Sequence, residues 1–379
     1  MQGNQSEPKS SWSSNPRLPS LDGWRALSIL LVLGGHSGMT YHGNPLWSPL
    51  FRWSEGSLGV LCFFVISGFL ITWLMLVESD RSGRISLKNF YIRRVLRIFP
   101  VFYTFLLTVA VLQYFTPWAQ NWMDWLGCLT FTQNFIDSRD PTGHLWSLSV
   151  EEQFYLLWPV TLVYLLKHGA SNRRILTFLT FPVLVAPVCR ALGYHPATAR
   201  WLPFLAGRSF FGYFDLLAVG CACAFCLAEE RKTGFLKNVF HTHRRTILFM
   251  GMALVIIPQV LDKFRAAHLV LRILTVTIFP SSEALGFALL MLQSVFLPGW
   301  GIYRILNWRW VSQIGILSYS IYIWQQLFWT APQEYGLGQV WWLSFPVWLV
   351  PVFVVSSISY YGLERPILKL RARFGSRTV

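Results

Sequence analysis

DGWRALSILLVLGGHSGMTY, residues 22–41, is the first strongly apolar segment of the chain and reads as one membrane span, yet it carries Arg25 and His36. A spanning helix needs ~20 predominantly apolar residues. Ionisable side chains at membrane depth are costly and mark sites more often than they serve the fold. The two are eleven residues apart; at ~100° per residue they return to within ~20° of one direction, and the rise between them is ~16 Å. Arg25 therefore sits near one membrane surface and His36, on the same face, near mid-bilayer. Asp22 lies at the Arg25 end. The plainer alternative is an arginine snorkelling to the headgroups and a histidine bonded to a neighbouring helix.

The rest of the chain has the same solvent preference. Apolar residues make up 54% of 379 and charged ones 13%, and the mean hydropathy is +0.43. Nineteen Trp and fourteen Tyr suit a protein with many membrane–water interfaces, where amphipathic rings settle. The fold class expected is all-α: a polytopic membrane protein with ten spans, near 22–41, 56–77, 99–116, 147–166, 174–189, 209–228, 246–260, 273–298, 311–330 and 341–361. Residues 1–20 are polar, with no apolar core for a signal peptide, and read as a disordered cytoplasmic tail. Residues 21–370 form one transmembrane domain, and 371–379 a basic cytoplasmic tail. With both termini cytoplasmic, 23 Lys and Arg fall inside (Arg174 counted at the edge of its span) against 8 outside, as the positive-inside rule requires. The net charge of +15 is thus accounted for by topology and membrane lipid, with no nucleic-acid partner. The six cysteines mostly lie in or beside apolar spans, which argues against a disulfide framework. Cys223 and Cys226, followed by His241 and His243, could suggest zinc; small residues packing in lipid is the better account, and no metal site is expected. No internal repeat or second, soluble domain is evident.

Three further groups carry candidate chemistry. In RSGRISLKNFYIRRVLRIFP, residues 81–100, Arg93, Arg94 and Arg97 put at least two guanidiniums on one side of an entering helix. Guanidinium forks pair with phosphate in bidentate fashion, although a basic cytoplasmic loop is also what topology alone demands. In GHLWSLSVEEQFYLLWP, residues 143–159, Glu151 and Glu152 lie one turn inside an apolar run, and Tyr155 shares the face of Glu151. A buried carboxylate must be paired, bonded or protonated. His36 should reach a comparable depth, and a carboxylate is the usual group that fixes an imidazole tautomer. Asp215, in GRSFFGYFDLLAVG at 207–220, is a further buried acid with no local partner. Ser67-Gly68, in GVLCFFVISGFLIT at 59–72, reads as close helix packing; the G-x-S-x-G elbow of a serine nucleophile is missing.

These elements together resemble the membrane acyltransferase family 3, whose members O-acylate carbohydrates and lipid-linked saccharides. The resemblance covers residues 21–370. It rests on LDGWRALSILLVLGGH, GVLCFFVISGFLIT, FYIRRVLRIFPVFY and HLWSLSVEEQFYLLWP in that order, with weaker echoes in FDLLAVG, ILSYSIYIWQQLFW and ISYYGLERP. It implies a ten-helix core, a cytoplasmic acyl-CoA donor as co-substrate with no permanently bound cofactor, and functional roles for Arg25, His36 and Glu151. Two positions depart from the family's pattern. Tyr213 replaces a frequent arginine, which leaves Asp215 in question, and Gln325 replaces a frequent histidine, which removes an accessory base.

The expectation is a multi-pass plasma-membrane (bacterial inner-membrane) O-acyltransferase moving acetyl by preference from acyl-CoA to a carbohydrate hydroxyl. His36 would be the general base, Glu151 its orienting partner, and Arg25 with Arg93, Arg94 and Arg97 the CoA phosphate site; Asp22, Tyr155 and Asp215 would be accessory. In a variant of this mechanism, His36 carries the acyl group across the membrane. Other readings are a flippase of a lipid-linked saccharide, in which His36 and Glu151 relay protons, and an acyltransferase of a small lipophilic product such as a macrolide.

Overall fold

The computed structural model describes residues 18–40, 56–116, 120–136, 141–205, 207–329, 345–370 and Phe374. Every regular element among them is helical. Twelve helices of nine residues or more follow in order: α1 Leu21–Thr40, α2 Gly56–Ser82, α3 Leu87–Leu112, α4 Trp122–Thr130, α5 Leu145–Lys167, α6 Asn172–Tyr194, α7 Phe214–Thr233, α8 Arg244–Asp262, α9 Leu269–Thr277, α10 Phe279–Phe296, α11 Arg309–Trp324 and α12 Leu349–Ser359. Among the described residues α2, α3, α6, α8 and α10 are long and apolar enough to cross a membrane.

The core is built around α2, which is apolar on all sides and buries residues throughout its length, from Leu58 to Val77. It lies between α1 and α7 and also touches α5 and α10; α1 is flanked in turn by α2 and α11. Close approach depends on glycine at two crossings. A β-carbon at Gly68 would run into the Leu217 carbonyl of α7, and one at Gly315 into the Asp22 carbonyl of α1. With the backbones in contact, dispersion forces replace the hydrophobic drive that is lost between helices in lipid. The outward faces stay apolar: Leu107 on α3, Leu184 on α6, Phe249 on α8 and Ile358 on α12 are 66%, 71%, 68% and 68% exposed. A soluble protein seldom presents so much apolar surface. This is a membrane protein.

The helices depart from the expected spans at several places, among them 99–116, where α3 begins at Leu87. The span expected at 273–298 is broken at Ile278 into α9 and α10. Pro280, in the first turn of α10, lacks the N–H to continue a helix and is suited to starting one. The span expected at 209–228 begins only at Phe214, after a 3₁₀ turn at Phe210–Gly212 that Ser209 caps. The span expected at 311–330 ends as α11 at Trp324, and a separate turn covers Gln326–Trp329. The two expected tails lie almost wholly outside the described residues.

Candidate active site

A cavity of about 480 Å³ opens between α1, α2, α3, α5 and α11. It runs along α2 from Val60 to Leu74, fourteen residues or ~21 Å at helical rise. Its walls are largely apolar, with Phe63, Phe64, Leu70 and Leu74 from α2 alone. Set into them are Asp22, Arg25, Ser67, Arg94, Arg97, Glu151 and Tyr155. Residues from four separate sequence motifs thus meet in one space.

The cations there form no tight ion pair among the described residues. Arg25 Nη1 lies 3.9 Å from Asp22 Oδ1. Arg94 lies over the rings of Phe90 and Tyr155 at 5.5 and 5.2 Å, and Arg97 over Tyr319 at 6.0 Å. Neither Arg94 nor Arg97 forms a salt bridge among the described residues. Aromatic faces hold the two guanidiniums while leaving their donors free, which suits an incoming anion.

Arg93 is different, and its place in the expected phosphate site is corrected. Its Nη2 lies 2.6 Å from Glu78 Oε2 and its Nη1 donates to the Phe374 carbonyl at 3.0 Å. Consecutive helical residues diverge by ~100°, so Arg94 faces the cavity while Arg93 straps α3 to the end of α2.

Glu151 bonds to Tyr155, which shares its helix face, and to a serine the sequence does not suggest. Its Oε1 accepts from the Ser67 hydroxyl at 2.6 Å and its Oε2 from Tyr155 at 3.3 Å. Serines inside helices usually bond back to the preceding turn, as Ser28, Ser37 and Ser149 do here; Ser67 instead turns across to α5. Sequence reading assigned this serine to packing. No local signal marks it out, because only the docking of α5 shows where its hydroxyl points.

His36 is not among the residues lining the cavity. Its Nδ1 lies 3.2 Å from Gln325 Oε1, and its ring stacks on Trp329 with centroids 4.4 Å apart and an 18° tilt. The expected His36–Glu151 pair is therefore replaced by a His36–Gln325 pair. Helix register explains this. Gly56 of α2 meets Val32 and Gly35 of α1, so His36 is level with the start of α2. Ser67, and Glu151 with it, lie eleven residues further along, ~16 Å away. Gln325 Oε1 can only accept, so Nδ1 carries the proton and Nε2 keeps its lone pair.

Asp215, which has no local partner, is half of an ion pair with a residue of another helix. Arg190 reaches it through Nη1 and Nη2 at 3.1 Å, and Ser281 donates to it at 2.6 Å. Arg190 also donates to the Gly212 and Thr277 carbonyls. This buried knot ties α6, α7 and α10 together with its hydrogen-bonding capacity well used, as a buried pair requires. It lies outside the cavity.

Comparison with known proteins matches the shared motifs to a family. The model described as an acyltransferase domain matches residues 18–361. The chain belongs to acyltransferase family 3. Among curated members, the peptidoglycan O-acetyltransferase OatA of Listeria monocytogenes is 28% identical over 94% of this chain and 56% of its own length. YrhL of Bacillus subtilis, a provisionally named peptidoglycan O-acetyltransferase, is 27% identical over 96% of this chain and 56% of its own. The chain thus spans about half the length of these family-3 relatives. No solved structure matches it.

Proposed function

We propose that this chain is a membrane O-acyltransferase that moves an acyl group, acetyl by preference, from acyl-CoA to a hydroxyl of a cell-surface carbohydrate. The observation that carries this reading is the cavity, a long, apolar-walled slot lined by three guanidiniums. A CoA thioester has that character: phosphates at one end and a long, thin, uncharged arm. Arg25, Arg94 and Arg97 would hold the phosphates, and the arm would run along α2 toward Phe63 and Tyr322. Glu151, held by Ser67 and Tyr155, has carboxylate lone pairs left to accept from N–H groups of the arm. Its part is to bind the donor, away from the imidazole.

At the other level, His36 Nε2 takes the proton of the acceptor hydroxyl as that oxygen attacks the thioester carbonyl. The C–S bond breaks, the leaving sulfur is protonated, and CoA departs as the thiol. His36 positioned by Gln325 suits this step, since neutral imidazole is a good base near neutral pH. The names of the relatives point to peptidoglycan as the acceptor class. Ten spans, cytoplasmic termini and a plasma-membrane address complete the proposal; the basic bias supports this orientation, with Arg25 toward the cytoplasmic side.

The test is acetyl-CoA binding and acceptor-dependent CoA release by the purified full chain. Wild type should bind acetyl-CoA, and an Arg94→Ala/Arg97→Ala double variant should bind it at least tenfold more weakly. Equal binding by both proteins would remove the donor assignment.

A further inference from the structure

We infer that His144, Trp324 and Gln325, grouped around His36, form a subsite for an uncharged polyhydroxylated ring: the saccharide acceptor itself. The inference rests on the acyltransferase reading above and concerns a part of the molecule outside the donor cavity.

The first observation is a concentration of unsatisfied polar atoms. Both ring nitrogens of His144, the indole N–H of Trp324 and the amide nitrogen of Gln325 are buried without a hydrogen-bond partner. The Pro141 and Ile323 carbonyls lie beside the His144 ring but close no bond to it. The three residues are 8%, 6% and 0% exposed, so water at the surface does not satisfy them. Leaving a buried donor or acceptor unpaired is costly, and proteins keep such groups where a ligand or a reaction needs them.

The second observation is that these groups are contiguous. The Phe105 ring lies edge-on to both His144 and Trp324, at 5.5 and 5.8 Å. Gln325 follows Trp324 in sequence and holds His36, and Trp329 covers His36. The set also abuts the donor cavity. Tyr322, which lines it, donates to the His144 carbonyl at 2.8 Å and pairs with Ser147, a second lining residue.

The third is chemical type. None of these side chains is Asp, Glu, Lys or Arg, so nothing here recognises a phosphate. Neutral His144 offers one donor and one acceptor, while Trp324 and the Gln325 nitrogen offer donors only. Flanked by the rings of Phe105, Tyr322 and Trp329, they match a sugar ring, whose hydroxyls both donate and accept and whose C–H faces lie against aromatic side chains. Placed beside Nε2 of His36, such a ring would present a hydroxyl to the base. The atoms are enclosed, so admitting the ring requires the aromatic wall to move.

Two variants test this in the full chain, with acetyl-CoA and the disaccharide repeat of peptidoglycan among a panel of soluble saccharides. His144→Phe removes both nitrogens but keeps a ring against Phe105, and Trp324→Phe removes the indole N–H together with part of the ring system. Each should raise the saccharide KM roughly three- to tenfold per lost hydrogen bond, leaving the acetyl-CoA dissociation constant within twofold. The unfolding midpoint of His144→Phe without saccharide should hold or rise, because the imidazole nitrogens have no partner to lose. An unchanged saccharide KM in both variants, or a lowered midpoint with kcat falling at constant KM, would overturn the subsite. So would a wild type that binds acetyl-CoA yet passes its acyl group to no saccharide. A wild type that fails to bind acetyl-CoA would instead overturn the donor reading.

Discussion

The two ends of the Arg25–His36 stripe are built from opposite materials. Around Arg25 the protein gathers charge: three guanidiniums and two carboxylates, set among aromatic faces and hydroxyls in an open cavity. Around His36 it excludes charge and gathers rings, an amide and a second imidazole, many of their polar atoms unpaired. A charged site stays ordered because its members have partners; an uncharged one with orphaned donors is complete only when something enters. On the proposed reading, one helix carries both because two ligands of different chemistry arrive from different directions.

The sharpest way to break this contrast is to remove the base. His36→Ala should lower turnover by ~10²–10⁴-fold, the usual contribution of general base catalysis, while acetyl-CoA binding stays within twofold because the imidazole is outside the cavity. Steady-state kinetics together with equilibrium binding would show it. A large loss of donor affinity in this variant would join the two ends into one site.

Next in size is the buried ion pair, a structural control. Arg190→Met strands Asp215 among apolar neighbours, and breaking such pairs typically costs ~3–5 kcal/mol. Thermal unfolding in detergent should show a marked drop in the midpoint, with donor affinity intact in the protein that remains folded. Reduced acetyl-CoA affinity without destabilisation would move Asp215 from scaffold to site.

The separation of Glu151 from His36 makes a quantitative prediction. Residues without shared partners have additive free energies to within ~0.5 kcal/mol. Glu151→Gln should weaken donor binding, and its effect on kcat/KM should multiply with that of His36→Ala. A double variant no worse than His36→Ala alone would show that the two act as a unit after all, through a rearrangement that closes ~16 Å of helix rise.

How much of this was legible beforehand follows from which properties are local. Helix class, the membrane setting and the Arg25–His36 stripe are periodicities within single segments, and the structure retains the helices and that stripe. The grouping of Arg25, Arg94, Arg97, Glu151 and Tyr155 depends on docking, but each residue was conspicuous as an ionisable or hydroxyl group in an apolar run. Partners were not legible. Ser67 reads as packing, Arg190 falls beyond the span expected at 174–189, and Gln325 reads as the loss of a base, although each meets a side chain of another helix. Each depends on the rotation of a second helix about its own axis, which no single segment encodes. The break before Pro280 was within reach of local rules, but the apolar run around it masked the signal.

The smallest effect expected separates neighbours on one helix. Arg93 and Arg94 are adjacent in sequence and equal in charge, so a purely electrostatic account of a basic loop near anionic lipid treats them alike. The structure does not: Arg93 is held by Glu78 at 2.6 Å, whereas Arg94 lines the cavity. Arg94→Lys keeps the charge but loses the planar fork and its stacking on Tyr155, and should raise the acetyl-CoA KM severalfold. Arg93→Lys should leave that KM within experimental error; its effect should fall on stability, since the pair with Glu78 is largely buried and a lysine loses the fork that also reaches the Phe374 carbonyl. Side-by-side titrations at two ionic strengths would decide. If both variants shift the KM equally and the shift vanishes at high salt, the cluster attracts donor through its net charge alone, and the fork of Arg94 has no special role.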